Sequence, residues 1–334
     1  MKARLGRFSP VRLAHRPTRI EPLANLGRAL GLDLWVKRDD LTGIGAGGNK
    51  ARQLDYYAGA AIREGADTLL ITGAVQSNFT AMTAAYAARL GLACHVQLED
   101  RVPDPRPLYR ENGNVVLDQL LGAEIDTFPV GEDEAAADRA LREKADGVRR
   151  AGRSPYVIPL GAENPPLGAL GYIEAALELR EQMRALPSMD AIILASGSGL
   201  THVGLLYGLR ALGVSIPVIG ICVRRCANLQ RERVAARLVS LGELMGAPSK
   251  AVPGDIRLSD ATLAPGYGQL NQAVRDAIKL SAQHAGLMLD PVYTGRAMAG
   301  LIELQRSDAL PGPRVLFWHT GGLPALFAYS DQLV

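Results

Sequence analysis

Seven short apolar runs recur along this chain, with helical patterns between them. The runs are LWVK (34–37), TLLIT (68–72), ACHVQL (93–98), YVIP (156–159), AIILA (191–195), PVIGICV (217–223) and VLFW (315–318). Helical periodicity falls near 51–64, 78–90, 114–121, 133–150, 168–185, 200–212, 227–245, 268–285 and 295–306. Strands with one wet face alternate apolar and polar residues, and most of these runs do not. Continuous apolar strands separated by helices call for parallel sheets covered on both faces. The expected fold class is therefore α/β with an open parallel-sheet architecture. Ligands in such folds bind beyond the carboxyl ends of the strands, so the strand-to-helix junctions are the places to look for chemistry.

Length and charge narrow the class further. The 334 residues suffice for one large or two medium domains. The net charge is only +3 and no block of like charges occurs, which disfavours nucleic acid and membrane surfaces as partners. No apolar run approaches the ~20 residues that span a bilayer. The basic stretch from Met1 to Pro17 lacks the apolar core of a signal peptide. A cytoplasmic enzyme is the natural expectation. Cys94, Cys222 and Cys226 form no disulfide framework. Cys222 and Cys226 lie four apart, but no His or second Cys pair stands near at zinc spacing, so no metal site is expected. Cys94 and Cys222 read as small apolar core residues. RVPDPRP (101–107) reads as a surface loop.

Two junctions carry unusual residues. The first, after TLLIT, places Gln76, Ser77 and Asn78 ahead of a helix. The second runs from Ser196 to Thr201, between AIILA and a helix. Its Gly197, Ser198, Gly199, Leu200 and Thr201 expose backbone N–H groups at a helix N-terminus, where a phosphate can approach closely. Position 202 is His and no acidic residue ends the following strand, so a single phosphate monoester fits better than a dinucleotide. A plain tight turn stays open as the simpler reading.

A third glycine-rich stretch, GIGAGGNK (43–50), ends in lysine. It misses the phosphate-binding loop pattern of nucleotide hydrolases, because Asn49 intervenes and Ala51 replaces the hydroxyl residue that would hold magnesium. The chain has only six lysines, at 2, 37, 50, 144, 250 and 279. Lys37 ends a strand and reads as structural; Lys144, Lys250 and Lys279 read as solvated. Lys50 alone opens a helix after a glycine loop. A cation is disfavoured there, and desolvation with the helix dipole would lower its pKa, which suits an amine that forms a Schiff base. A Schiff-base lysine together with a phosphate turn implies pyridoxal 5′-phosphate.

With these residues in place, the chain resembles the pyridoxal-phosphate enzymes of the tryptophan synthase β-like fold (fold type II). Within them it is most similar to the branch that holds D-cysteine desulfhydrase, 1-aminocyclopropane-1-carboxylate (ACC) deaminase and L-cysteate sulfo-lyase. The resemblance rests on LWVKRDDLTGIGAGGNKARQL, GAVQSNFTAMTAA, ENGNVVLDQLLGAEI, GALGYIEAALEL, SGSGLTHVGL, LDPVYTGRAMAGL and FWHTGGLPALFAY. It implies a small domain at 52–165 and a large cofactor-binding domain made of 1–51 plus 166–334, usually in a homodimer. It also implies roles. Lys50 would hold the cofactor and move the α-proton. Asn78 would bond the cofactor's phenolic oxygen, and Ser77 and Asn78 the substrate carboxylate. The turn 197–201 would bind the phosphate. Tyr293 would act in proton transfer, Ser77 would join Lys50 and Tyr293 as a catalytic residue, Tyr267 would line the substrate side, and Thr320 would face the pyridine nitrogen or the substrate.

Particular positions discriminate within the branch. ACC deaminases typically carry Glu after the PVY tyrosine and Leu in H-x-G-G, where this chain has Thr294 and Thr320. Both match the desulfhydrase and sulfo-lyase pattern. Phe79 departs from the branch, which usually has His or Gln there. It either packs in its own helix with Met82 and Tyr86 or reshapes the substrate pocket. The expected activity is β-elimination on a small β-substituted amino acid, giving pyruvate, ammonia and sulfide or a related leaving group. L-cysteate sulfo-lyase, ACC deaminase, altered specificity through Phe79, and a non-enzymatic cofactor-binding protein stand as alternatives.

Overall fold

The computed structural model describes residues 1–104, 106–131, 133–161 and 163–333. Ten strands occur among them: β1 (Ile20–Pro22), β2 (Asp33–Arg38), β3 (Thr68–Ala74), β4 (Ala93–Glu99), β5 (Glu124–Phe128), β6 (Pro155–Ile158), β7 (Ala191–Ser196), β8 (Val218–Cys222), β9 (Arg257–Ser259) and β10 (Arg314–His319). They form two sheets, one of six strands in the order β1-β2-β10-β7-β8-β9 and one of four in the order β5-β4-β3-β6. Every pairing is parallel except β1 with β2.

Successive residues of a strand point to opposite faces of its sheet. In β7 and β10, Ile193, Val315 and Phe317 join one apolar core, while Ile192, Leu194, Leu316 and Trp318 join another. Both faces of the central strands are thus dry, which explains why their sequences do not alternate. The three strands that the apolar pattern misses are β1, β5 and β9, and each lies at a sheet edge. An edge strand leaves one ladder unpaired and tolerates polar residues; EIDTF of β5 is mostly exposed or half-buried.

Helix bounds depart from expectation where local chemistry intervenes. The helix expected over 268–285 starts at Gln272, because the Asn271 side chain caps it by accepting from the Val274 N–H at 2.9 Å. The helix expected over 168–185 is α-helical only over Leu170–Gln182, with a single 3-10 turn at each end. The short helices Ala24–Leu30, Pro107–Glu111 and Leu323–Phe327 carry too few turns to show a period. The surface-loop reading of 101–107 is corrected. Val102 is buried in the core and Arg101 turns inward, while Pro105 lies outside the described residues. Prolines marked the turn, but the apolar Val102 decides where the segment lies.

A buried polar network fixes the helix that carries Lys50, Asn49–Arg63. Asp39 follows β2 and is fully buried with Arg52. Its carboxylate accepts from Arg52 Nε and Nη2 at 3.0 and 2.8 Å, Tyr172 Oη at 2.6 Å, Trp318 Nε1 at 2.8 Å and Thr18 Oγ1 at 2.8 Å. Arg52 also reaches both oxygens of Glu178, at 2.9 and 3.0 Å. Lys37 is buried against Glu178 and Gln182, which bears out its structural reading.

Candidate active site

The loop before Lys50 is held by Thr42, whose hydroxyl accepts from the Gly48 N–H at 2.8 Å and donates to the Gly48 carbonyl at 2.9 Å. Two glycines are sterically required here. A Cβ on Gly47 (φ +72°) would lie 1.9 Å from the Asp40 carbonyl oxygen, and one on Gly48 (φ +128°) 3.0 Å from that of Thr320. The Asn49 N–H donates to the same Thr320 oxygen at 2.9 Å, so the lysine loop is buttoned to the end of β10. Lys50 then enters a cleft beyond the strand ends. Among the described residues no hydrogen bond or ion pair reaches its Nζ. Burial alone lowers its pKa to about 8. The Nζ lies 4.9 Å from the centroid of the Phe79 ring.

Gly197, Ser198, Gly199 and Thr201 line the cleft. Gly199 (φ +92°) turns the chain into the helix Leu200–Ala211. The Gly197 carbonyl accepts from Gln230 Nε2 at 3.0 Å and the Ser198 carbonyl from Arg233 Nε at 3.1 Å. Those carbonyls face the helix Ala227–Met245, so the N–H groups across the same planar peptides face the other way. Thr201 Oγ1 accepts from Asn49 Nδ2 at 2.9 Å and Gln53 Nε2 at 3.1 Å. With both lone pairs engaged, its own proton is left to donate. Leu200 does not line the cleft, since its side chain is buried in the core and only its backbone belongs to the turn.

Ser77, Asn78 and Phe79 also line the cleft. Ser77 caps the helix Asn78–Leu90, its Oγ accepting from the N–H groups of Phe79 and Thr80 at 3.2 and 3.3 Å. It keeps a hydroxyl proton to donate to an anion. No side-chain base contacts it among the described residues, so its geometry is that of an anchor. Phe79 has a place both in the core and at the cleft. It joins the core that contains Met82 and Tyr86, and its ring also faces Lys50.

Tyr267 and Tyr293 close the cleft with their hydroxyls 2.8 Å apart. Burial raises both pKa values, so both stay protonated at neutral pH. Tyr293 is held by Asp290, whose carboxylate accepts from the N–H groups of Val292, Tyr293 and Thr294 at 2.9, 2.8 and 2.8 Å. Thr294 spends its hydroxyl on Asp290 at 2.6 Å and is fully buried outside the cleft wall. Thr320 lines the cleft, with no partner for its hydroxyl among the described residues.

Some cleft residues escape the sequence reading. Arg101 lines the cleft and is held by Glu99, through Nε at 2.8 Å and Nη2 at 2.6 Å. The strand-end rule, applied to β4 as it was to β3 and β7, would have found it. Glu134 also lines the cleft and meets Arg224, Arg225 and Arg233. Burial would raise the Glu134 pKa, but the three guanidiniums hold it near about 2. No local pattern announces this cluster. Cys94 and Cys222 are buried and Cys226 is exposed.

A lysine with no counter-ion among the described residues shares one cleft with a glycine-rich turn at a helix N-terminus and a donating hydroxyl, the set of groups that an enzyme using a phosphorylated carbonyl cofactor needs. The chain belongs to the pyridoxal-phosphate dependent enzyme family, whose pattern matches residues 11–321. It is 43% identical over 331 residues to a D-cysteine desulfhydrase of Klebsiella pneumoniae, covering 98% of each chain. It is likewise 43% identical over 332 residues to one from Salmonella choleraesuis, again covering 98% of each. A crystal structure of an ACC deaminase homologue superposes with a TM-score of 0.89 at 36% identity, covering 99% of this chain and 97% of that one. A fungal L-serine ammonia-lyase from Rhizomucor miehei, at 19% identity and a TM-score of 0.67, shares the fold. No helix among the described residues is long and apolar enough to cross a membrane.

Proposed function

We propose that this chain is a β-eliminating carbon–sulfur lyase that acts, like D-cysteine desulfhydrase, on a small β-substituted amino acid and releases pyruvate, ammonia and sulfide. The observation that carries this reading is Lys50, whose amine has no hydrogen-bond or ion-pair partner among the described residues and is depressed by burial to about 8. Such an amine is a competent base near neutral pH. The bound cofactor would supply the electron sink for the electron pair left on Cα when the α-proton departs. Lys50, Asn78, Thr320 and the turn 197–201 would hold it. Lys50 takes the α-proton, and Tyr293, kept protonated and tied to Tyr267, donates on the substrate side. Ser77 and the N-terminus of the helix Asn78–Leu90 anchor the substrate carboxylate. The Thr320 hydroxyl, which lines the cleft, would face the pyridine nitrogen of the bound cofactor and leave the ring less protonated, which would suffice for a good leaving group on Cβ. We further infer a small domain at 52–165 against 1–51 plus 166–334, and a cytoplasmic homodimer.

Arg101 favours a second reading, L-cysteate sulfo-lyase activity. Its guanidinium lines the cleft wall that also holds Tyr267 and Tyr293. It could receive a sulfonate on Cβ. A panel of D- and L-cysteine, L-cysteate, β-chloroalanine, D-serine and ACC, scored for keto acid, sulfide and sulfite, separates the readings. Fastest sulfide release from D-cysteine supports the first; fastest turnover of ACC, or no keto acid from any member, contradicts both. Arg101→Ala is expected to lower kcat/KM for L-cysteate at least about tenfold more than for D-cysteine. Equal losses would remove the second reading.

Thr201→Val should weaken retention of pyridoxal phosphate about tenfold, the worth of one hydrogen bond to a charged oxygen. Fluorescence titration of the cofactor measures this. An unchanged affinity would place the phosphate elsewhere.

A further inference from the structure

The side chain of Asn78 has a fixed direction, and the residue that fixes it is Asn114. The two come from different elements, the helix Asn78–Leu90 and the helix Asn114–Leu120. Asn114 Nδ2 donates to Asn78 Oδ1 at 2.8 Å and to the Gln76 backbone carbonyl at 3.2 Å. The Asn114 backbone N–H donates to Gln76 Oε1 at 3.0 Å, and Gln76 Nε2 in turn donates to the carbonyls of Tyr109 and Asn112 at 2.5 and 2.9 Å. Asn114 is 1% exposed, so water does not substitute for these partners.

An amide can usually be turned over, exchanging donor for acceptor. Here it cannot. The Gln76 carbonyl only accepts, so Asn114 must present its NH2 group there. That same NH2 group faces Asn78, so Asn78 must present its oxygen. The Asn78 NH2 group is thereby left for the cleft that Asn78 lines. A backbone carbonyl of the 74–78 junction thus sets, through Asn114, which atom the cleft meets. The close fit extends to Gly113 (φ +63°), where a Cβ would lie 2.5 Å from Gln76 Oε1.

We propose that Asn114 is a positioning residue that holds Asn78 as a hydrogen-bond donor toward an anionic oxygen of the bound cofactor. This rests on the reading that the cleft holds pyridoxal phosphate on Lys50. A donor at that oxygen favours its anionic form, which absorbs at longer wavelength. Asn114→Asp puts an oxygen where Nδ2 was. Asn78 then turns its NH2 group to the new carboxylate and its oxygen to the cofactor.

The test is the absorbance of the holoenzyme, not its turnover. In Asn114→Asp, the ratio of the ~420 nm to the ~330 nm band at fixed pH is expected to fall at least about fivefold. In an Asn78→Ala background the same change is expected to leave the ratio unaltered, because the residue it acts through is gone. If Asn114→Asp does not fold, Asn114→Ala read in the same two backgrounds serves instead, with a smaller fall expected. An unchanged ratio in the single variant, or an equal fall in both backgrounds, overturns the proposal. Wild-type protein that takes up no cofactor would sink the underlying reading instead.

Discussion

Lys50→Ala is expected to lose turnover by on the order of 10^4-fold or more and to lose the visible band of the bound cofactor, while its fold persists. The combination is diagnostic. Among the described residues Lys50 makes no ion pair, and its depressed pKa means that the folded state disfavours the charged amine. By linkage, a lysine whose folded pKa is lowered costs stability while it is protonated, and that cost fades as pH rises through about 8 toward the unfolded value. Removing it should leave the thermal midpoint of the cofactor-free protein unchanged or raised at pH 7. Cofactor capture by the wild type should also accelerate between roughly pH 7 and 9, as the free amine appears. A variant that retains turnover would show that Lys50 is not the catalytic amine, and one that unfolds would show that it is structural.

Asp39→Asn should have the largest effect on stability, about 3–5 kcal/mol, because it unbalances a buried charge. Asp39 Oδ2 faces three donors, Arg52 Nε, Tyr172 Oη and Trp318 Nε1, and Oδ1 faces two, Thr18 Oγ1 and Arg52 Nη2. An amide turned either way sets NH2 against donors. Arg52 keeps Glu178, but loses its fully buried partner. Differential scanning calorimetry should show a midpoint lower by roughly 5 °C, and a change under 1 °C would contradict the assignment. Burial would raise the Asp39 pKa, but Arg52 and Lys37 hold it down to about 2. Its folded value lies below its unfolded value, so the stabilisation is present above roughly pH 4 and fades as pH falls toward 2. The gap between wild type and variant should narrow over that window. Because Arg52 lies two residues past Lys50, part of the damage should appear as cofactor loss.

The sequence was most legible where a residue's task is set by its own neighbours along the chain. Ser77 caps the helix that it opens, the 197–201 turn bends through its own glycines, and Lys50 ends its own loop. β7 and β10 showed as apolar runs because both of their faces are dry, whereas β5 and β9 lie at edges and carry no such mark. Residues whose partners are remote in sequence stayed hidden. Glu134 meets arginines at 224, 225 and 233. Asn114 fixes Asn78 from another helix, although its motif was plain to see. Thr294 and Thr320 looked alike as discriminating hydroxyls, yet Asp290 holds the first outside the cleft wall and leaves only the second facing it.

The measurement closest to the central claim is chemical. The protein is incubated with pyridoxal phosphate, reduced with borohydride, digested, and its peptides weighed. The cofactor's added mass is predicted on the peptide that contains Lys50 and on no other. Label on Lys37, Lys144, Lys250 or Lys279 in place of Lys50, or no label at all, would contradict it.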